Sequence, residues 1–357
     1  MEKIQLQDYS IFVGHIWPEL ERLLNTGPYD RYVVLADEHT QEHCLPLLQK
    51  HLSSLHFDII RIPAGERHKN ITTCQQIWSQ LFQLGATRKA LLLNPGGGGI
   101  GDMGGVCAST YKRGMPFVQI PTTLLSQVDA SIGGKLGIDF LQVKNGIGVF
   151  NNPEAVFIDP AFFNTLPKRE LRSGFAEVIK HSLIADRQQW EKLRRFKTLD
   201  EVNWPALLIP SLQIKKHFVE SDPREEGLRK ALNFGHTIGH AIEGYALETE
   251  QPLLHGEAIA IGMICETFLS FLRFQLPQEQ VAFISRYLLE IFDHRALDLQ
   301  HFDSYLELMK NDKKNERGKI NFSLLSAPGQ VEINQNCSNE WILQSLQYYN
   351  DLATVDV

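Results

Sequence analysis

Between Tyr32 and Asp159 the chain alternates short β-branched runs with helical periods, a rhythm that excludes most fold classes at once. Tyr32–Asp37, Phe57–Pro63, Ala90–Asn94, Phe117–Pro121 and Ala155–Asp159 predict buried strands, with amphipathic helices at His43–Ser53 and Asn70–Leu84. Strand–helix alternation implies a Rossmann-like, mostly parallel sheet covered by helices. Beyond Pro167 the strand signals nearly vanish. Apolar residues then recur at helical spacing through Gly174–Ile184, Trp204–Val219, Leu228–Leu247, Gly256–Leu272 and Pro277–Phe292. Only Lys319–Leu325 and Gln330–Ile333 predict a small late hairpin. At 357 residues two cores are expected, and Pro167-Lys168-Arg169-Glu170 marks the best boundary. The expectation is an α/β domain over 1–168 and an all-α domain over 169–357, with a cleft between them as the site.

Bulk properties narrow the function. No window approaches 18 uncharged apolar residues, so a membrane span is not expected. The amino terminus lacks a basic-then-apolar signal pattern. Five scattered cysteines, with no CxxC spacing, argue for a reducing cytoplasm and against a thiolate zinc site. A net charge of −7 disfavours nucleic acid as a partner, while leaving room for a locally basic pocket.

One stretch departs from ordinary patterning. If the chain from Glu225 to Glu243 is helical at about 100° per residue, then Glu225, Arg229, Asn233, His236, His240 and Glu243 share an arc of roughly 80°. Leu228, Ala231, Leu232, Phe234, Ile238, Ala241 and Ile242 fill most of the rest. A surface helix has a broad polar face; this one has a narrow polar stripe, which suits a buried polar cavity. Burying such groups is costly unless each has a partner, so the stripe points to chemistry.

Two more clusters carry candidate ligands. Asn94-Pro95-Gly96-Gly97-Gly98-Gly99-Ile100-Gly101-Asp102 follows a strand and precedes a helix, where glycines admit a phosphate close to helix-terminal amides. Gly96, Gly98 and Gly101 satisfy GxGxxG, but about 20 residues on, where an acidic ribose ligand is usual, the chain reads Pro121-Thr122-Thr123. A different pyrophosphate-binding turn fits better. Lys112-Arg113, Asp129, Gly133-Gly134-Lys135 and Lys144-Asn145-Gly146 suggest anion-admitting loops. For a metal, His236 and His240 form an i, i+4 pair, His255 opens a helix, and Glu177 sits in an apolar helix with Lys180 on its face and His181 at i+4. Histidine with carboxylate suits zinc, and spacing alone leaves several ligand sets open.

These blocks resemble the 3-dehydroquinate synthase family of the sugar phosphate cyclases, from about Asp37 to Leu325. The resemblance rests on Pro63-Ala64-Gly65-Glu66-Arg67-His68-Lys69, the glycine run, Gln119-Ile120-Pro121-Thr122-Thr123-Leu124-Leu125 and Gln127-Val128-Asp129. It continues through Ile132-Gly133-Gly134-Lys135, Lys144-Asn145, Ala176-Glu177-Val178-Ile179-Lys180, Asn233-Phe234-Gly235-His236-Thr237 and Leu254-His255-Gly256-Glu257-Ala258, with order and spacing kept. The resemblance implies zinc on Glu177, His236 and His255, with cobalt able to substitute. It frees His240 for proton transfer with Glu225, assisted by Asp129 and Lys180, and makes His181 structural. It implies NAD on Asp37, Glu66, Lys69, Gly98, Gly99, Asp102, Thr122, Thr123, Lys135, Lys144 and Thr165. Substrate would meet Arg113, Asp129, Lys135, Asn145, Lys180, Lys215, Arg229, Asn233, His236 and His255, with Lys319, Lys313 or Lys314 as a further phosphate ligand. Arg113 would reach the neighbouring subunit's site in a homodimer. Leu136 and Asp139 stand where threonine and asparagine are more usual.

The implied reaction converts 3-deoxy-D-arabino-heptulosonate 7-phosphate to 3-dehydroquinate and phosphate, a step of the shikimate pathway. Transient oxidation by NAD, β-elimination of phosphate, reduction, ring opening and an aldol closure follow in turn, so the enzyme is a carbon–oxygen lyase with no net redox. Another sugar-phosphate cyclase, or a metal-dependent polyol dehydrogenase on the same fold, is the alternative expectation.

Overall fold

A computed structural model describes residues 1–141, 143–247, 249–310 and 320–353, and the chain divides into two compact units, Met1–Leu171 and Arg172–Val357. The first unit carries β1 (Glu2–Gln5), β2 (Ser10–Val13), β3 (Arg31–Ala36), β4 (Asp58–Arg61), β5 (Ala90–Gly96), β6 (Phe117–Pro121), β7 (Lys135–Phe140), β8 (Val143–Phe150) and β9 (Ala155–Ile158). Its helices are α1 (Trp17–Thr26), α2 (Glu38–His43), α3 (Leu45–His51), α4 (Ile71–Gln83) and α5 (Gly98–Thr110). Seven strands form one sheet in the order β1-β2-β9-β6-β5-β3-β4. All its pairings are parallel except β1 against β2.

The five expected strands are present, and β4-β3-β5-β6-β9 reproduces the doubly wound order in which the chain reverses direction between its first and third strands. That switch point lies between β3 and β5. It places the glycine run after β5 and Asp37 after β3 on the two sides of one crevice. Every residue of β5 is buried. Leu92 faces a core with Ile77, Cys107 and Leu136, while Leu91 and Leu93 face another with Trp17, Leu48 and Phe157. The helix expected at His43–Ser53 is α3, with Pro46 in its first turn; the separate α2 before it was not expected, and Asp37 caps it by accepting from Thr40 N at 2.8 Å. The β7–β8 hairpin has no counterpart in the sequence reading: its glycines at 137, 146 and 148 break the apolar alternation that reveals a strand.

Helix α6 (Lys168–Ala185) leads into the second unit, followed by α7 (Arg187–Leu193), α8 (Trp204–Ser221), α9 (His236–Leu247), α10 (His255–Phe274), α11 (Gln278–Phe292), α12 (Phe302–Lys310) and α13 (Asn339–Asp351). Strands β10 (Asn321–Ala327) and β11 (Gln330–Asn336) form the late antiparallel hairpin. The helix expected across Leu228–Leu247 does not exist as one element. A 3₁₀ segment, Leu228–Asn233, stops at Phe234, and α9 begins at His236. The Asp222 carboxylate bends the approach, accepting from Glu226 N, Gly227 N and Arg229 N at 3.0, 2.7 and 3.1 Å. Gly235 then turns through a φ of +79°. The buried Glu266 carboxylate on α10 accepts from Gly235 N at 2.6 Å and Ile238 N at 3.1 Å, satisfying amides that an unbroken helix would have bonded internally. Glu225, itself at φ +61°, Arg229 and Asn233 therefore lie off the helix that carries His236 and His240.

Among the described residues no helix is long and apolar enough to cross a membrane. Cysteines 44, 74, 107, 265 and 337 are free thiols.

Candidate active site

Close helix packing builds the centre of the second unit. A Cβ on Gly256 would strike the backbone of Ser173, so the glycine lets the start of α10 lie against α6, where Gly256 N donates to Ser173 Oγ at 2.9 Å. His255 is thereby brought beside Glu177. His236, at the start of α9, arrives from the other side. His236 Nε2 and His255 Nε2 each lie 3.4 Å from Glu177 Oε1. Ligand atoms about 2.1 Å from a tetrahedral zinc are roughly 3.4 Å apart, so each imidazole stands from Glu177 at the spacing of two donors on one metal. The Nδ1 atoms are engaged elsewhere: His236 Nδ1 faces Phe234 O at 3.1 Å and His255 Nδ1 faces Glu243 Oε2 at 3.1 Å. Those contacts favour the tautomer that turns each Nε2 lone pair inward. A nitrogen of His240 also lies within 4.8 Å of one from each of the other two histidines, so a three-histidine set is sterically open as well.

Glu177 is fully buried and ion-paired to Lys180, one helical turn on, which is 1% exposed. Arg229 at 1% and Lys215 at 6% are two further buried cations of this unit. Arg229 donates through a guanidinium nitrogen to Pro223 O at 2.7 Å. Asn233 Nδ2 donates to Glu225 Oε1 at 3.0 Å, joining two members of the predicted stripe across the 3₁₀ segment. His181, buried on α6, has Nδ1 2.7 Å from Ser211 Oγ of α8, a helix-to-helix contact.

In the first unit, Gly97 is the N-cap of α5 and has no side chain to satisfy the first-turn amides. Gly98 and Gly99 open the helix, so its positive end faces the crevice bare of Cβ atoms. Beside it Lys69, 4% exposed, lies 2.5 Å from Asp102 Oδ2 and donates to Asn145 Oδ1 at 2.6 Å. Burial alone would push the Lys69 ammonium down, but Asp102, Glu66 and Asp139 outweigh it and hold it well above its ordinary value. Burial pushes the Asp102 carboxyl up despite Lys69 beside it. Glu66 lies 3.9 Å from Lys69 and 3.8 Å from Lys144. Asp139 accepts from Asn145 N at 2.7 Å, where Asn145 turns through a φ of +51°. Burial nonetheless raises the Asp139 carboxyl. Leu136 is a core residue packed with Met103 and Cys107.

At the ends of β6 and β9, Gln127 donates to Pro121 O at 3.1 Å and Asp159 O at 3.0 Å, pinning the turn that carries Thr122 and Thr123. Asp129 belongs to the π-helical turn Ser126–Ala130, Lys135 starts β7, and Thr165 is an exposed residue closing a 3₁₀ turn. Arg113 is not among them. It sits at φ +67° before β6, lining an open cavity of about 430 Å³ with Arg88, Asn151 and Glu154. That is the opposite end of the sheet from the glycine turn, a five-residue strand away, roughly 17 Å.

Two domain families divide this chain. The description "3-dehydroquinate synthase N-terminal" matches residues 59–173, and "3-dehydroquinate synthase C-terminal" matches 174–315. The chain belongs to the 3-dehydroquinate synthase family. The 3-dehydroquinate synthase of Parabacteroides distasonis is 42% identical over 336 residues, covering 93% of this chain and 95% of its own. Among solved structures, the 2-epi-5-epi-valiolone synthase of Streptomyces hygroscopicus subsp. jinggangensis, with NAD⁺ and Zn²⁺ bound, is similar at a TM-score of 0.86 and 25% identity, covering 99% of each chain. A 2-deoxy-scyllo-inosose synthase complexed with carbaglucose-6-phosphate, NAD⁺ and Co²⁺ shares the fold at a TM-score of 0.84 and 24% identity, covering 97% of this chain and 99% of its own. The activity is that of a 3-dehydroquinate synthase, a lyase acting on a sugar phosphate.

Sequence reasoning placed Glu243 in the polar stripe of this synthase but gave it no role, although it reaches a candidate metal ligand. Gln127 stands in a quoted block without a role and Glu266 is absent from the sequence reading, because their work on remote backbone leaves no trace in local spacing. Lys313, Lys314 and Lys319 lie outside the described residues.

Proposed function

We propose that Glu177, His236 and His255 hold zinc or cobalt. The observation that carries this is the convergence of two imidazole Nε2 atoms on one carboxylate oxygen, each ring steadied through its Nδ1. His240 then remains available for proton transfer, with Glu225 positioned by Asn233 and with Asp129 and Lys180 assisting. NAD is held by Asp37, Glu66, Lys69, Gly98, Gly99, Asp102, Thr122, Thr123, Lys135, Lys144 and Thr165. Lys69 and the bare α5 terminus offer the charge complement for its pyrophosphate. Lys180, Lys215, Arg229 and Asn233 bind the carboxylate and hydroxyls of 3-deoxy-D-arabino-heptulosonate 7-phosphate, and Lys135 and Asn145 its phosphate. When bound, the metal supplies a Lewis acid for adjacent hydroxyls and NAD a transient hydride acceptor. Arginine suits a carboxylate through its two-pronged fork, and low exposure strengthens each such contact.

The chain acts as a homodimer. Phe140, Leu141, Val143, Ile147 and Phe150 are exposed on one hairpin at 41–80%, an apolar surface that a second copy would cover. That hairpin runs directly into Asn151, which shares the Arg113 cavity. Arg113, remote from its own nucleotide crevice, would thus be presented to a neighbour.

The test is metal retention. His236→Ala loses bound zinc, whereas His240→Ala keeps the metal and slows phosphate release from the heptulosonate phosphate. Equal zinc loss in both variants would return the ligand set to three histidines.

A further inference from the structure

The Glu243 carboxylate is 6% exposed on α9, seven residues and two turns beyond His236 on the same helix face. A carboxylate that far from water is costly without compensation. One compensation is His255, whose Nδ1 lies 3.1 Å from Glu243 Oε2. With the Nδ1 proton donated to Glu243, the His255 ring has a single orientation in which Nε2 points at Glu177. His236 is steadied differently, by the neutral carbonyl of Phe234 in the break before α9. The two histidines therefore carry unlike outer partners, one anionic and one neutral.

We infer that Glu243 is the positioning residue for the metal, fixing the tautomer and ring plane of His255 and making its Nε2 the stronger donor. This rests on the reading that His255 is a ligand. An anionic partner behind an imidazole raises its basicity toward a cation, and loss of such a partner typically weakens metal binding by about 10–100-fold. A purely structural ion pair between α9 and α10 would instead affect folding and leave zinc affinity alone.

The experiment titrates metal-free protein with zinc against a chromogenic chelator, independently of turnover, for wild type, Glu243→Gln, Glu243→Asp, His255→Ala and the double variant Glu243→Gln/His255→Ala. The expected result is about 10–100-fold weaker zinc binding for Glu243→Gln and an intermediate loss for Glu243→Asp, which keeps the charge but shortens the reach. His255→Ala should lose more, and adding Glu243→Gln to it should cost nothing further, because both changes act through one ring. Wild-type affinity in both Glu243 variants, alongside a loss in His255→Ala, overturns the inference while sparing the ligand set. An undiminished Glu243→Gln effect in the His255→Ala background overturns it too. Wild-type affinity in His255→Ala overturns the ligand set itself.

Discussion

Replacing Gly235 with alanine should destabilise the second unit and loosen its metal site together. The residue turns through a φ of +79°, where an L side chain costs about 1–2 kcal/mol. The new Cβ would also lie 2.5 Å from Met263 Cγ and 3.1 Å from both Ile259 O and Met263 N. Met263 Cγ lies close to its own backbone and can shift only by a change of rotamer, and the two backbone atoms belong to α10 and cannot move alone, so overpacking adds about 1–3 kcal/mol. The expected loss is about 2–5 kcal/mol. Gly244, inside α9, supplies the control. Its added Cβ would meet Leu308 no closer than 3.8 Å, so Gly244→Ala should stabilise by roughly 0.5–1 kcal/mol through helix propensity. Urea titration of metal-free protein followed by circular dichroism and calorimetry reads both. Zinc competition reads the displacement of His236, one residue from the turn. A Gly235→Ala cost below about 1 kcal/mol, or equal costs at both positions, would refute the argument that this turn requires glycine.

Lys69→Met should weaken NAD binding and destabilise the first unit by about 3 kcal/mol, the lower end for a broken buried pair because Asp102 keeps some solvent contact. Adding Asp102→Asn should recover part of that stability, and no recovery would contradict the pairing. Asp222 is desolvated somewhat, but its three backbone bonds prevail and hold its carboxyl below the ordinary 3.8. Its stabilising effect is therefore complete above 3.8 and fades as pH falls through the lower folded value. Wild type and Asp222→Asn should differ in amide-exchange protection at Gly227 and Arg229 at neutral pH and converge in acid. A difference that persists in acid would refute the assignment. Chelation should abolish turnover, with zinc or cobalt restoring it; chelator-resistant turnover by metal-free protein would exclude the proposed metal role.

Much of the fold was legible because its signals are local. The apolar runs at Tyr32, Ala90, Phe117 and Ala155 alternate with amphipathic periods, and burial on both faces leaves little but a parallel sheet. The β7–β8 hairpin was not legible: its glycines erase the period-two pattern, and its buried residues Leu136 and Ile138 acquire meaning only against α5. Glu177, Lys180, His236 and His255 could be picked out as polar residues in apolar surroundings. Which of them converge could not, since Glu177 meets the histidines through packing of α6, α9 and α10.

The polar stripe from Glu225 to Glu243 shows the division most sharply. The order of residue types alone pointed carboxylates, a cation and imidazoles toward the interior, where Arg229, His236 and Glu243 are buried, because the apolar residues between them need a core. Their geometry was decided elsewhere in the chain. Asp222 bends the approach, Gly235 breaks the helix, and Glu266, some thirty residues on, accepts the amides that the break exposes. A period of 3.6 residues can describe only an unbroken helix. A buried carboxylate on a neighbouring helix can make the break cheaper than continuity, and only the folded chain brings that carboxylate into reach.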